Sequence, residues 1–190
     1  MYMQKIADGL VLYHGSYCEV PAPDLGKCAK QKDFGQGFYL TTSREQAVKF
    51  LNIALSKAKT VGLIDPEQVY GFISTYTVQM EHDLCSYIFQ NADVKWLHCI
   101  AAHRLRNSFT EIEKEMAKYD VIAGKIADDT TNRMLATYIS GGFGEIGSEE
   151  ADYDCIKRLK PEKLKDQYCF KTKKALQCLH FVGGEKIWLE

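Results

Sequence analysis

Short apolar runs alternate with amphipathic stretches along this chain, and the spacing of the apolar positions predicts which are strands and which are helices. Residues 10–13 form an apolar run, and residues 69–78 are rich in β-branched and aromatic side chains, so both are predicted strands. Residues 43–59 begin with the Ser-x-x-Gln pattern of a capping box and carry an apolar stripe at helical spacing, so they are predicted to form a helix. Further strands are predicted at residues 38–41, 119–124, 167–172, 180–182 and 186–189, the last two joined as a hairpin at Gly183-Gly184.

Helical patterns fill most of the remaining chain. Two or three helices are predicted within residues 83–118, and others at residues 131–140, in the acidic segment before Pro161, and at residues 173–179. Because the strands and helices do not alternate regularly, the pattern favours an α+β fold over a doubly wound parallel sheet. The length of 190 residues fits a single domain spanning residues 1–190.

Composition and charge restrict the class of protein. The formal net charge of −1 gives no overall basic field for nucleic acid or an anionic membrane, and no apolar run is long enough to cross a bilayer. The seven cysteines are odd in number and lack the Cys-x-x-Cys spacing of metal sites. We therefore expect reduced thiols, no metal centre and a cytoplasmic location.

The candidate chemistry lies in two motifs near the N-terminus. Tyr13-His14-Gly15-Ser16 ends the first predicted strand, and the sequence Phe-Gly-Gln-Gly-Phe-Tyr-Leu-Thr at residues 34–41 leads into the second. A His-Gly pair on one strand followed by Gly-x-Tyr on the next resembles the ADP-ribosyltransferases of the diphtheria-toxin and poly(ADP-ribose) polymerase type. Residues 32–39, 120–129 and 167–170 also resemble segments of a poorly characterised bacterial family related to those enzymes.

This resemblance implies both a fold and an activity. The fold would be the α+β ADP-ribosyltransferase fold, with two small, mainly antiparallel sheets around an NAD cleft and a helical insert at residues 83–118. The activity would be transfer of ADP-ribose from NAD to a macromolecule, with release of nicotinamide. The catalytic triad would be His14, Tyr39 and Gln167, with Gln where the family usually has Glu.

The resemblance also implies a role for each residue of the NAD site. His14 would contact a ribose hydroxyl, the backbone of Gly15 would hold the nicotinamide carboxamide, and Tyr39 would stack on the nicotinamide ring. Phe50 takes the position of a second stacking aromatic, but its place on the helical stripe also fits a core residue. The remaining predicted NAD contacts are Ser16, Gly37 and Phe38.

Two positions depart from the family's pattern. Ala47 stands where the polymerases offer a Ser hydroxyl to the carboxamide. Gln167 keeps a hydrogen bond to the ribose but loses the negative charge that favours a cationic transition state. The difference between a charged and a neutral acceptor is about 1–2 kcal/mol, or roughly tenfold to thirtyfold in rate. On this basis Gln167→Glu is expected to preserve or raise NAD cleavage.

Two other segments, one acidic and one rich in glycine, are candidate sites. Asp128-Asp129 follows a predicted strand and is either a substrate contact or a helix start, where carboxylates favour the helix dipole. Residues 142–147 match the pattern Gly-x-Gly-x-x-Gly, but a helical pattern precedes them instead of a strand. A dinucleotide-binding turn needs the preceding strand, so this match predicts a loop.

The sequence does not identify the acceptor of ADP-ribose. The acceptor would be a protein or a nucleic acid. Bacterial relatives of this kind are often toxins encoded beside a small antitoxin, so the resemblance implies a toxin with an antitoxin partner and no membrane partner. Three alternatives are an NAD glycohydrolase, a non-catalytic module that binds NAD or ADP-ribose, and a protein-interaction module that has kept only the fold.

Overall fold

The computed structural model describes residues 3, 5–80, 83–105, 108–126, 129–159 and 164–189, without the side chains of residues 129 and 130. The strands within these ranges are β1 (Val11–Ser16), β2 (Phe38–Leu40), β3 (Tyr70–Val78), β4 (Ser86–Ile88), β5 (Val121–Lys125), β6 (Asp166–Phe170) and β7 (Leu179–Trp188). The helices are α1 (Arg44–Thr60), α2 (Val94–Arg104), α3 (Thr110–Met116), α4 (Asp129–Ile139), α5 (Glu149–Leu159) and α6 (Lys173–Gln177). Among these helices, none combines the length and the apolarity needed to cross a membrane.

The strands form two small sheets. The first has the order β1-β3-β7 and is antiparallel throughout. The second has the order β2-β6-β5-β4, in which only the β4–β5 pair is parallel. The expectation of an α+β chain with two small, mainly antiparallel sheets is therefore confirmed.

Alternation along the strands buries both faces of the four-stranded sheet. Val121 and Ala123 of β5 point into a core that lies between the two sheets, whereas Ile122 points into a second core. That second core is built with α2, α4 and α5, from residues such as Trp96 and Leu135. A third, smaller core packs α1 against the three-stranded sheet through Leu51.

The prediction of a helical insert at residues 83–118 is wrong at β4. The structure places α2 and α3 in this segment, but Ser86–Ile88 pairs with β5 as an edge strand. Asp120 fixes the pairing, because its backbone N–H donates to the Cys85 carbonyl at 2.7 Å and its carboxylate accepts from the Cys85 N–H at 3.0 Å. A strand of three residues is too short to show a period of two in the sequence.

The predicted hairpin at Gly183-Gly184 is also wrong. Residues 179–188 form one strand, β7, that pairs along the whole of β3. Tyr76 pairs with Phe181 and Thr75 with Gly183, so Val182 is the extra residue of a bulge. Neither glycine has the positive φ that a tight hairpin turn requires. The Gly-Gly pair instead continues the strand beyond the bulge.

Candidate functional site

The first two strands meet at one rung and then separate. The backbone N–H and carbonyl of Tyr13 bond with Thr41 at distances of 2.8 and 3.0 Å, which is an isolated bridge between the two sheets. Backbone groups two residues apart point the same way in an antiparallel strand. The N–H and carbonyl of Gly15 therefore point away from β3, toward Tyr39, with which the bridge does not continue. We call this opening between Gly15 and Tyr39 the β1–β2 fork.

The side chain of His14 bonds to the Tyr39 carbonyl, which continued pairing of the two strands would have given to the Gly15 N–H. Its Nδ1 lies 2.8 Å from the carbonyl oxygen of Tyr39, and its ring lies 4.4 Å from the ring of Phe38, centroid to centroid. A carbonyl can only accept, so Nδ1 carries the proton and Nε2 of the neutral ring is an acceptor. Burial lowers the pKa of His14, and the nearby Lys32 ammonium lowers it further. His14 is thus a neutral imidazole whose Nε2 forms no hydrogen bond with the residues that the structure describes.

Gly15 is required by the packing of α1. A Cβ placed on Gly15 would lie 2.1 Å from the carbonyl oxygen of Ala47, which is helix backbone and cannot rotate away. Gly71 in β3 makes similar room, because a Cβ there would lie 3.0 Å from a methyl carbon of Leu51. Close packing of α1 brings the helix turn that contains Ala47 directly to the fork.

The hydroxyl of Tyr39 forms two hydrogen bonds with the backbone of the preceding turn. It donates to the Gly35 carbonyl at 2.8 Å and accepts from the Phe34 N–H at 2.9 Å, which closes the turn that precedes β2. Burial raises the pKa of Tyr39 well above its ordinary value, so the phenol stays protonated. Gly37 lies in the same turn, where a Cβ would come within 2.4 Å of the Cys169 sulfur. The motif glycine thus allows β2 to pack against β6.

Gln167 is buried near the start of β6, where only 5% of its surface is exposed. Its Nε2 donates to Oδ2 of Asp33 at 2.8 Å and to the carbonyl of Lys125 at 3.1 Å. Asp33 in turn forms an ion pair with Arg104. No sequence signal marks Asp33 as a partner of Gln167, although Asp33 stands within the Lys-Asp-Phe-Gly segment of the resemblance.

The predicted triad residues lie around one turn but do not meet at one point. Tyr39 pairs with Cys169 across the sheet, and Gln167 lies two residues from Cys169, so both side chains share one face of the four-stranded sheet. Both are also tied to the turn at residues 33–35. His14 contacts Phe38 on the opposite face and reaches Tyr39 through its backbone. In the described part of the chain, no hydrogen bond joins His14 to Gln167.

The other predicted NAD contacts differ in burial and packing. Ser16 is buried at the end of β1 and shares a face with His14. Phe38 is a core residue that supports the His14 ring. Phe50 is half-buried and belongs to none of the three core clusters of the described residues, unlike Leu51 beside it. Both roles given for Phe50, a stacking aromatic and a core residue, stay predictions.

The structure describes the predicted acidic pair only in part. Asp128 lies outside the described residues. Asp129 begins α4, and its side chain is not described.

Residues 142–147 lie in the connection between α4 and α5, where Gly144 and Gly147 adopt positive φ angles of 114° and 86°. These residues follow a helix, as the sequence pattern predicted.

Comparison with known proteins finds one matching family. The model of a family described as "Protein of unknown function (DUF3990)" matches residues 10–181. A search of curated proteins found no match. The matched range includes the fork, the turn at residues 33–35 and Gln167.

Proposed function

This chain belongs to the DUF3990 family, and we propose that it is an NAD-dependent ADP-ribosyltransferase whose nicotinamide site is the β1–β2 fork. The observation that carries the proposal is the hydrogen bond from His14 Nδ1 to the Tyr39 carbonyl, at 2.8 Å. Because His14 takes this carbonyl, the N–H and carbonyl of Gly15 stay directed into the fork. A carboxamide needs one donor and one acceptor in a plane, and a strand edge offers that pair.

The walls of the fork fit an aromatic ligand. Tyr39 lies on one side, and Phe50 projects from the helix whose Ala47 turn meets Gly15. Stacking between aromatic rings contributes about 0.5–1.5 kcal/mol for each pair. A nicotinamide ring held between Tyr39 and Phe50 would thus be fixed by two stacking contacts and by the backbone of Gly15.

The reaction follows from these contacts. The bond between the ribose C1′ and the nicotinamide nitrogen breaks, and its electron pair neutralises the pyridinium nitrogen. A nucleophile of the acceptor then bonds to C1′ and loses its proton. His14 Nε2 and Gln167 are the acceptors for ribose hydroxyls, which orient the sugar while positive charge develops at C1′. The phenol of Tyr39 stays protonated and contributes its ring.

The acceptor, the partner and the location belong to the same proposal. The acceptor is a macromolecule, either a protein or a nucleic acid. The enzyme acts as a bacterial toxin in the cytoplasm, paired with a small antitoxin protein. These statements rest on the resemblance of the motifs around His14, Tyr39 and Gln167.

A second candidate is a non-catalytic module that binds NAD or ADP-ribose. The observation in its favour is the neutral amide of Gln167, which is engaged with Asp33 at 2.8 Å. Such a module would use the same fork, so the two candidates differ in turnover and not in the place of binding. An NAD glycohydrolase differs only in taking water as the acceptor.

The test is an assay for nicotinamide release from labelled NAD in the presence of separate protein, DNA and RNA fractions. The wild type should release nicotinamide and label one fraction. Tyr39→Ala and His14→Ala should each lower release by more than tenfold, since each removes a ligand contact. Tyr153→Ala is the matched control, because Tyr153 is 64% exposed on α5.

The outcomes separate the candidates. Release without label in any fraction indicates a glycohydrolase, and NAD binding without release indicates the non-catalytic module. Neither binding nor release, with Tyr39→Ala indistinguishable from the wild type, would leave a protein-interaction module.

A further inference from the structure

The amide of Gln167 has one possible orientation. Both of its partners, the Asp33 carboxylate and the Lys125 carbonyl, accept hydrogen bonds at the distances to Nε2 of 2.8 and 3.1 Å. The nitrogen end must therefore face them, because the oxygen end has no proton to donate. Both N–H groups of the amide are used in this way. The remaining group, Oε1, forms no hydrogen bond within the described part of the chain.

Asp33 is itself immobilised. Only 7% of its surface is exposed. Its Oδ1 accepts from Nε of Arg104 at 3.0 Å, and its Oδ2 is left for Gln167. Arg104 also donates to Oδ1 of Asn132 at 2.9 Å, which fixes the guanidinium. The carboxylate therefore has a set position relative to β6, although it comes from the loop before β2.

We propose that Asp33 is a positioning residue for Gln167, holding the amide so that Oε1 is presented as the acceptor for a hydroxyl of the nicotinamide ribose. This role rests on the proposed function of the fork. The carboxylate and the hydrogen-bonding group are then two residues, Asp33 and Gln167, where the resembling enzymes use one Glu.

This arrangement changes the expectation for Gln167→Glu. On the sequence alone, the substitution was expected to preserve or raise NAD cleavage. In the structure, a carboxylate at position 167 would face the carboxylate of Asp33 across the present 2.8 Å contact. Two carboxylates in such contact cannot both be charged without strong repulsion. The single substitution should therefore impair the site.

The test exchanges the two groups. The variants are Gln167→Glu, Asp33→Asn and the double variant with both substitutions, in which an amide at position 33 can donate to a carboxylate at position 167. Nicotinamide release should fall on the order of tenfold in kcat in each single variant, with KM for NAD little changed. The double variant should recover part of the lost rate, because an amide at position 33 can donate to Glu at position 167 while the Lys125 carbonyl still faces an acceptor. Asp83→Asn is the control, because Asp83 is exposed. The substitution also keeps the backbone carbonyl that accepts a hydrogen bond from Lys174.

A second measurement follows the same cycle by urea unfolding. The midpoint should fall in Gln167→Glu and rise again in the double variant, because the repulsion is removed. Effects of the two substitutions that simply multiply in rate and add in stability would overturn the positioning role. An inactive wild type would overturn the proposed function and this role together, whereas an active wild type with independent effects overturns this role alone.

Discussion

The protonation of single side chains decides what the fork can bind. His14 keeps its Nε2 as an acceptor only while the ring is neutral, and burial lowers the pKa of His14. Tyr39 contributes an uncharged ring because burial raises the pKa of its phenol. Gln167 has its two N–H groups committed. These three side chains are therefore neutral at pH 7, and the charges beside them include the Asp33–Arg104 ion pair and the Lys32 ammonium.

The stability of the protein should decrease as the pH falls below 6.5, in part because of His14. The unfolded chain takes up a proton near the ordinary histidine pKa of 6.5, whereas the folded chain resists protonation until a lower pH. His14→Gln, which can still donate to the Tyr39 carbonyl, should reduce the slope. Urea midpoints between pH 7.5 and 5.5 measure it. Burial also lowers the pKa of His103, so His103→Gln measures the contribution of His103 to the same slope. An unchanged slope in His14→Gln would contradict the assignment.

Tyr39→Phe should separate the ring of Tyr39 from its hydroxyl. The substitution removes two hydrogen bonds to the turn before β2 and should lower the free energy of unfolding by about 1–2 kcal/mol. The ring is kept, so calorimetry should find NAD affinity within a few-fold of the wild type. Tyr153→Phe, at an exposed position, should change neither quantity. Loss of NAD binding in Tyr39→Phe with normal stability would show that the hydroxyl contacts the ligand.

At the scale of elements, the fork lies between β1 and β2, and α1 packs against β1 beside it. Ser43 caps the helix by accepting from the Gln46 N–H at 3.3 Å. Asp166 at the start of β6 accepts from the Thr42 N–H and hydroxyl at 3.0 and 2.6 Å, which fixes the chain just before α1. The helix then crosses β1 at Gly15. The close approach of α1 to β1 thus depends on a glycine in a different element.

Gly15→Ala should destabilise the protein by about 2–3 kcal/mol, because the added methyl group would overlap the Ala47 carbonyl. Urea unfolding measures the change. Gly183→Ala in β7 is the matched control, since a Cβ there meets no atom within 4 Å. Equal effects of the two substitutions would show that α1 does not pack on Gly15 as described.

For the whole molecule, the sequence predicts local elements better than it predicts contacts between distant residues. The capping box at Ser43 and the β-rich segment that became β3 carry their own signals, and the structure places a helix and a strand there. The ion pair of Asp33 with Arg104 joins residues 71 positions apart, and the bond from Gln167 to Asp33 spans 134 positions. No periodicity encodes such contacts. The continuous β7 likewise follows from the length of its partner, β3, and not from its own Gly-Gly pair.

NAD should stabilise the whole fold, because a ligand in the fork would add contacts between the two sheets to the bridge of Tyr13 with Thr41. At a concentration of 100 times Kd, binding adds about 2.7 kcal/mol. This corresponds to a rise in Tm of roughly 5–10 °C for a chain of this size. Thermal unfolding with and without NAD measures the shift. Tyr39→Ala should abolish the shift, and a shift that survives in this variant would place NAD elsewhere.

The most direct test of the central claim is a crystal structure of the protein grown with nicotinamide. The carboxamide nitrogen should donate to the Gly15 carbonyl, its oxygen should accept from the Gly15 N–H, and the ring should lie between Tyr39 and Phe50. A nicotinamide bound away from Gly15, or a fork closed by continued pairing of Gly15 with Tyr39, would contradict the account.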